Sequence, residues 1–173
     1  KKNPEAVIVA AGCYVQTKEK EAEADDSIDI LIGNNQKGQL VSLLELYFED
    51  QKQSHIAAVA DINHEEQVFE ELVMSKPSEH TRAFIKVQDG CNNYCNYCTV
   101  PYARGESRNI PIAECVKYAN EIAAEGIKEI VLTGVNTGDF GRSTGESFLD
   151  LLKALNEVPG IERFRISSIE PNL

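Results

Sequence analysis

The 173-residue chain predicts an α/β fold built on parallel sheet. Three observations carry this: short continuous apolar runs of the kind buried on both faces of a sheet, helical periodicity between them, and a restart of the alternation near residue 82. Ala6–Ala10 reads as a buried strand ending at Gly12-Cys13, Thr17–Ala24 as a short charged helix, and Ile28–Ile32 as a second strand closed by Gly33-Asn34-Asn35. From Gly38 to Gln51 the period is helical, with Leu40, Leu43, Leu44 and Tyr47 on one stripe. Residues 51–80, polar and interrupted by Pro77, read as a linker or solvated surface segment. The second series begins with a strand at Ala83–Val87. Pro111 opens a helix with Ile112, Cys115, Ala119 and Ile122 on its apolar face, and Gly126 ends it. Ile127–Leu132 is a strand, Ser147–Asn156 a helix, and Arg163–Ile169 a third strand with Arg163 and Arg165 on one face.

Charge marks the same division. The chain has 17 basic and 28 acidic side chains, a net of -11. Residues 1–80 hold 7 basic and 16 acidic side chains; residues 81–173 hold 10 and 12, which is near balance. A wholly basic nucleic-acid-binding domain is excluded, while a local basic strip is not. Hydrophobic residues at 42% and charged residues at 26% exclude wholesale disorder. The longest apolar run, Ala6–Val15, falls short of the roughly 18 residues that span a bilayer, so no membrane association is expected. Lys1-Lys2 and the short run before Cys13 imitate a lipoprotein signal whose apolar core is too brief. The chain lacks an initiator Met before Lys1, and an internal piece of a longer protein is expected.

Five cysteines, three of them crowded into one loop, argue against a secreted disulfide scaffold and for a reduced, cytoplasmic protein. In parallel α/β folds, active sites gather past the carboxyl ends of the strands. Three consecutive loops with polar and small residues lie there: the cysteine loop after Val87, Thr133–Asp139, and Ser167–Glu170. The first reads Asp89-Gly90-Cys91-Asn92-Asn93-Tyr94-Cys95-Asn96-Tyr97-Cys98. Its three thiols suit a [4Fe–4S] cluster with one iron open to an exogenous ligand. Zinc would need a fourth ligand, and His80, the nearest His, sits at the opposite end of the preceding strand. Three unmetallated thiols are the remaining possibility. Cys115 faces a helix core, and His55 and His64 have no partners at ligand spacing.

The spacing CxxxCxxC with an aromatic before the last Cys resembles the signature of the radical S-adenosylmethionine (SAM) superfamily. Over nearly the whole chain, "AAGCYVQ" at 10–16, "FIKVQDGCNNYCNYCTVPYARGESR" at 84–108, "VLTGVNTGDFG" at 131–141 and "RFRISSIEP" at 163–171 resemble an internal piece of a radical SAM methylthiotransferase. Residues 1–80 then correspond to the later part of that family's N-terminal domain plus a linker. Residues 81–173 correspond to the first, incomplete half of a TIM-like radical SAM barrel. The "LTGVNTGDFG" and "SSIEP" forms are most similar to the branch that methylthiolates C2 of N6-threonylcarbamoyladenosine beside the tRNA anticodon, at position 37. The ribosomal-protein aspartate and isopentenyladenosine branches are alternatives. A zinc- or iron–sulfur-stapled binding or electron-transfer module is the alternative from a different class.

The resemblance implies roles residue by residue. Cys91, Cys95 and Cys98 would hold the SAM-binding [4Fe–4S] cluster, whose electron splits SAM to a 5′-deoxyadenosyl radical that takes hydrogen from C2 of the adenine. An electron donor such as flavodoxin or ferredoxin is implied. Cys13 matches the third of three ligands to an auxiliary [4Fe–4S] cluster; the first two would lie before Lys1, and the RNA-binding module beyond Leu173. Tyr97 matches the position near the SAM adenine, or else fills space. Gly134 and Asn136 fall where the glycine-rich motif receives the methionyl end of SAM, though Thr-Gly-Val-Asn departs from the commoner Gly-Gly-Glu, and Gly134 alone also reads as a turn glycine. Ser167, Ser168 and Glu170 face SAM or the base, or close a hydrogen-bonded strand end. Arg104 and Arg108, with Lys86 and Arg82 nearby, face the tRNA phosphates or are solvated loop charges.

Overall fold

The structure is a computed structural model that describes residues 3, 5–50, 55–62 and 82–170. It confirms the parallel α/β class and divides into two compact units, the first including residues 94–105 and the second formed around residues 82–93 and 106–170.

In the first unit, β1 (Val9–Ala11) leads through Gly12 into two short helices, α1 (Cys13–Thr17) and α2 (Glu19–Glu23). β2 (Ile30–Ile32) follows, then a 3₁₀ turn at Lys37–Gln39, α3 (Leu40–Glu49) and β3 (Ile56–Ala58). All three strands are parallel in the order β1-β2-β3, with Val9 opposite Ile30 and Ile30 opposite Ile56. Ile30, Leu31 and Ile32 are buried because the central strand is covered on both faces. Leu31 packs with Val15 and Ala22 of α1 and α2, while Ile30 and Ile32 pack with Tyr47 of α3. β3 corrects the reading of residues 51–80 as linker over three of its residues. Ile56-Ala57-Ala58 is too short to show a period, and pairing to β2 makes it a strand. Residues 51–54 and 63–80 of that segment, the latter with His64, Pro77 and His80, lie outside the described residues. Returning to this unit, residues 94–105 carry α4 (Val100–Arg104), which packs against α1.

The second unit begins with β4 (Ala83–Lys86) and β5 (Gln88–Asp89), and the chain returns in β6 (Arg108–Asn109). Then come α5 (Ile112–Ala124), β7 (Glu129–Thr133), a 3₁₀ turn at Thr137–Asp139, α6 (Phe148–Asn156) and β8 (Arg163–Ile166). β4, β7 and β8 form an open parallel sheet in that order, Ala83 opposite Ile130 and Ile130 opposite Phe164. Each strand reaches the next through a helix, as a parallel connection requires. α5 buries Cys115, Tyr118, Ala119 and Ile122, and α6 buries Leu151 and Leu155. Burying one such side chain contributes about 1.5–3 kcal/mol, so these stripes hold the helices on the sheet. Ser147 caps α6 by accepting from the Asp150 N–H at 3.1 Å. β8 stops three residues short of the expected Ile169, because Ser168 turns to φ 55 and its carbonyl accepts from Thr137 N–H at 2.9 Å. The two-residue ladder β5/β6, with Gln88 opposite Asn109, is antiparallel and was not foreseen.

Candidate functional site

In the second unit, the loops that follow β4, β7 and β8 meet at the carboxyl edge of the sheet, as the sequence leads one to expect. Asn136 and Thr137 join the last two. Asn136 Oδ1 accepts from Glu170 N–H at 3.3 Å, and Thr137 Oγ1 donates to the Ser167 carbonyl at 3.0 Å. Ser167 Oγ donates back to the Leu132 carbonyl at 3.1 Å. Gly134, Asn136, Ser167 and Glu170 are therefore brought together. Asn136 is 2% exposed, and its Nδ2 has no hydrogen-bond partner among the described residues; the same holds for Oδ2 of the buried Asp139. A buried donor of this kind costs free energy unless something accepts from it. The other oxygen of Asp139 pairs with Arg142 at 3.2 Å.

Cys91 follows Gly90, whose backbone at φ +74 turns the chain out of β5. Asp89 secures this root: Oδ1 accepts from Gly90 N–H at 2.9 Å, and Oδ2 lies 3.2 Å from Lys86 Nζ and 3.7 Å from Arg108. The Arg108 side chain is 11% exposed, drawn inward onto this carboxylate. Asn92 Oδ1 accepts from Ser107 N–H at 2.6 Å, closing the loop from its other side. Arg163 and Arg165 lie on one strand face, both pairing with Glu129 at 3.0 and 3.6 Å.

The remaining two loop thiols belong to the first unit. Cys98 N–H donates to the Cys95 carbonyl at 2.8 Å, making a tight turn over Asn96-Tyr97. Tyr97 at its tip is 93% exposed. Tyr94, at φ 45, stands edge-on to Tyr102 with centroids 5.8 Å apart. Cys95 is exposed and Cys98 half-buried. In the same unit Asn34 bridges α4 and Cys13: its Nδ2 lies 2.6 Å from the Ala103 carbonyl and 3.4 Å from Cys13 Sγ, and its Oδ1 accepts from Lys37 at 2.9 Å. Burial raises the Cys13 thiol. The hydrogen bonds from Asn34 and Arg104, with the charges of Arg104 and Lys37, outweigh it and hold that thiol below its ordinary value. Arg104 thus sits beside Cys13.

Among the described residues no three His, Cys, Asp or Glu side chains are gathered as a ready-made metal site. The donor set nevertheless fits an iron–sulfur centre. Cys91, Cys95 and Cys98 are free thiols on irregular backbone between Gly90 and Thr99, soft ligands with no hard carboxylate among them. For SAM, the orphaned amide of Asn136 is a buried donor awaiting an acceptor such as a carboxylate. Cys115 is fully buried inside the helix layer, as expected. Sequence reasoning missed Asn34, Gln88 and Asn109, whose roles depend on partners far along the chain; the signal was polar side chains at the ends of apolar runs.

Three free thiols at CxxxCxxC spacing, with Cys91 following the first strand of a parallel α/β sheet, are the hallmarks of a radical SAM domain. Residues 85–173 match the Radical SAM superfamily, and the chain belongs to it. Among named proteins it is 38% identical over 172 residues to the threonylcarbamoyladenosine tRNA methylthiotransferase MtaB of Bacillus subtilis (strain 168), covering 98% of this chain and 38% of that protein. To the MtaB of Aquifex aeolicus (strain VF5) it is 36% identical over 171 residues, 98% of this chain and 40% of that protein. To a tRNA-2-methylthio-N(6)-dimethylallyladenosine synthase of Clostridium perfringens (strain 13 / Type A) it is 33% identical over 176 residues, 99% of this chain and 38% of that protein. The chain spans about two fifths of the length of these curated relatives.

Proposed function

We propose that the chain is part of a tRNA methylthiotransferase that acts on N6-threonylcarbamoyladenosine. The observation that carries it is the Cys91, Cys95, Cys98 spacing inside the superfamily match, with the Gly90-Cys91 root of that loop tied to the Gly134–Asn136 rim. Cys91, Cys95 and Cys98 would hold a [4Fe–4S] cluster, which when bound would supply one-electron reduction of SAM. The chain's own residues bind and orient. Asn136 donates its free amide hydrogens to the SAM carboxylate, and Gly134 lets its loop close onto Gln88. Ser167 and Glu170 line the rim, and Tyr97, exposed at the tip of its turn, is available to stack on the adenine. Cys13, held toward its thiolate by Asn34 and Arg104, is the auxiliary-cluster ligand on this chain. Arg104 and Arg108 supply positive charge for the RNA backbone, part of that on Arg108 being neutralised by Asp89. An external one-electron donor of the flavodoxin or ferredoxin type completes the cycle.

Choosing threonylcarbamoyladenosine rests on the rim loops "LTGVNTGDFG" and "SSIEP", and on identities of 38%, 36% and 33% to proteins named for that nucleoside beside 33% to the dimethylallyladenosine enzymes. Nucleoside analysis of tRNA from cells lacking the full-length protein tests it. The methylthiolated form of threonylcarbamoyladenosine should vanish, return with the wild-type gene, and not return with Cys95→Ala. Loss of methylthio-isopentenyladenosine instead would transfer the proposal to the other nucleoside, and an unchanged profile would refute a tRNA substrate.

A further inference from the structure

Gln88 on β5 is completely buried, with a relative exposure of 0%, and both of its polar atoms are in use. Its Nε2 lies 3.0 Å from the Asp89 carbonyl, 2.8 Å from the Gly90 carbonyl and 2.9 Å from Ser107 Oγ, so two hydrogens are shared among three acceptors. Its Oε1 accepts from two consecutive backbone amides, Val135 N–H and Asn136 N–H, both at 2.9 Å. One side chain thus ties the peptide before Cys91 to the peptides flanking Val135. The approach is close: a Cβ on Gly134 would lie 2.8 Å from Gln88 Oε1 and 3.1 Å from Gln88 Cβ. Only a residue without a side chain allows the loop after β7 to draw in so far.

Asn109, opposite Gln88 in the ladder, holds the far end of the same loop. Its Oδ1 accepts from Gly141 N–H at 3.0 Å and Ser143 Oγ at 3.1 Å, and its Nδ2 donates to Thr144 Oγ1 at 3.2 Å. Asn109 bonds neither Gly90 nor Asn136 in this arrangement, so the two amides of one ladder pair divide the work. Gln88 spans the cysteine loop and the Gly134–Asn136 loop; Asn109 secures residues 141–144.

We infer that Gln88 is a positioning residue that sets the spacing between the root of the cysteine loop at Gly90-Cys91 and the Gly134–Asn136 loop, and thereby the affinity for SAM. The inference rests on the proposed role of these two loops in holding the cluster and SAM. Gln88→Met keeps the bulk of the side chain but orphans the Val135 and Asn136 amides and frees Gly90. Gln88→Glu keeps the acceptor for Val135 and Asn136 and loses the donor toward Gly90.

The test uses the full-length protein, reconstituted anaerobically with iron and sulfide, with SAM binding measured by equilibrium dialysis and by electron paramagnetic resonance of the reduced cluster. In Gln88→Met the iron and sulfide content should match wild type while the Kd for SAM rises tenfold or more and the SAM-induced spectral change broadens or disappears. Gln88→Glu should give a smaller rise. Asn109→Ser should lower the unfolding midpoint yet leave the Kd for SAM within twofold of wild type. Gly134→Ala, which pushes a methyl group against the same contact, should raise the Kd, and combining it with Gln88→Ala should add little further loss. A Kd within twofold of wild type in Gln88→Met, loss of its cluster, or equal weakening by Asn109→Ser would overturn the inference. Failure of both Gln88→Met and Gly134→Ala to fold would reduce Gln88 to a stability residue and overturn it too. A wild-type protein that holds its cluster but does not respond to SAM would instead refute the functional reading itself, and the inference with it.

Discussion

Gly141 offers a quantitative test of how tightly the loop after β7 is built. Its backbone sits at φ +88, and a Cβ placed there would lie 1.9 Å from the Glu146 carbonyl oxygen and 2.5 Å from the Glu146 carbonyl carbon. Gly145, four residues on in the same loop, is at φ +76 with nothing among the described residues within 4 Å of an added Cβ. Alanine at either site carries the left-handed torsional penalty, about 1–2 kcal/mol. Only Gly141→Ala adds a collision with backbone, which a rotamer change cannot relieve and whose relaxation costs about 1–3 kcal/mol more. Gly145→Ala should therefore destabilise by about 1–2 kcal/mol and Gly141→Ala by about 2–5 kcal/mol. The displacement has a further effect: Glu146 Oε1 accepts from Ile112 N–H at 2.9 Å at the start of α5, so moving Glu146 loosens that helix as well. Urea denaturation followed by far-ultraviolet circular dichroism measures the difference, read as a lower midpoint at unchanged slope. Equal destabilisation by the two substitutions would show that the contact between Gly141 and Glu146 is not closed, and the reasoning would fail.

Three further outcomes follow from particular contacts. Burial first, and the Glu146 charge second, push the Cys115 thiol up to about 12 from 9.0. The unfolded chain therefore loses this proton before the folded one does. The stabilisation is complete below about pH 9 and is lost as pH rises toward 12, at about 1.4 kcal/mol per pH unit. Cys115→Ala should flatten that alkaline limb in pH-dependent unfolding. In the metal-free protein, iodoacetamide mapping by mass spectrometry should find Cys13 modified at lower pH than Cys115, and Arg104→Gln should slow Cys13 by removing a hydrogen bond and a positive charge. Ser147→Ala removes the cap on Asp150 N–H and should cost about 1 kcal/mol, measurable by urea unfolding.

How legible these features were depends on the range of the interactions behind them. β2, β7, α5 and α6 declare themselves because each carries a local apolar pattern, as in Ile30-Leu31-Ile32 or the Cys115, Ala119, Ile122 stripe. Short elements without such a pattern do not. β3 is three residues paired to β2, and the β5/β6 ladder is Gln-Asp against Arg-Asn, polar residues that no hydrophobic period marks as strand. The thiol spacing of the site was plain from Cys91, Cys95 and Cys98. Gln88 was not, because its burial is made worthwhile by acceptors and donors up to 48 residues away. Arg108, which reads from sequence as a phosphate-facing or a solvated loop charge, turns inward for the same reason, since Asp89, 19 residues earlier in sequence, meets it across the ladder.

The central claim is that Cys91, Cys95 and Cys98 carry a cluster that binds and reduces SAM. Anaerobic reconstitution of the full-length protein, followed by electron paramagnetic resonance of the reduced cluster with and without SAM, tests it most directly. A reduced [4Fe–4S] signal that shifts on adding SAM, and that Cys95→Ala selectively removes, is the predicted result. A spectrum indifferent to SAM, or one that survives intact in Cys95→Ala, would contradict the account.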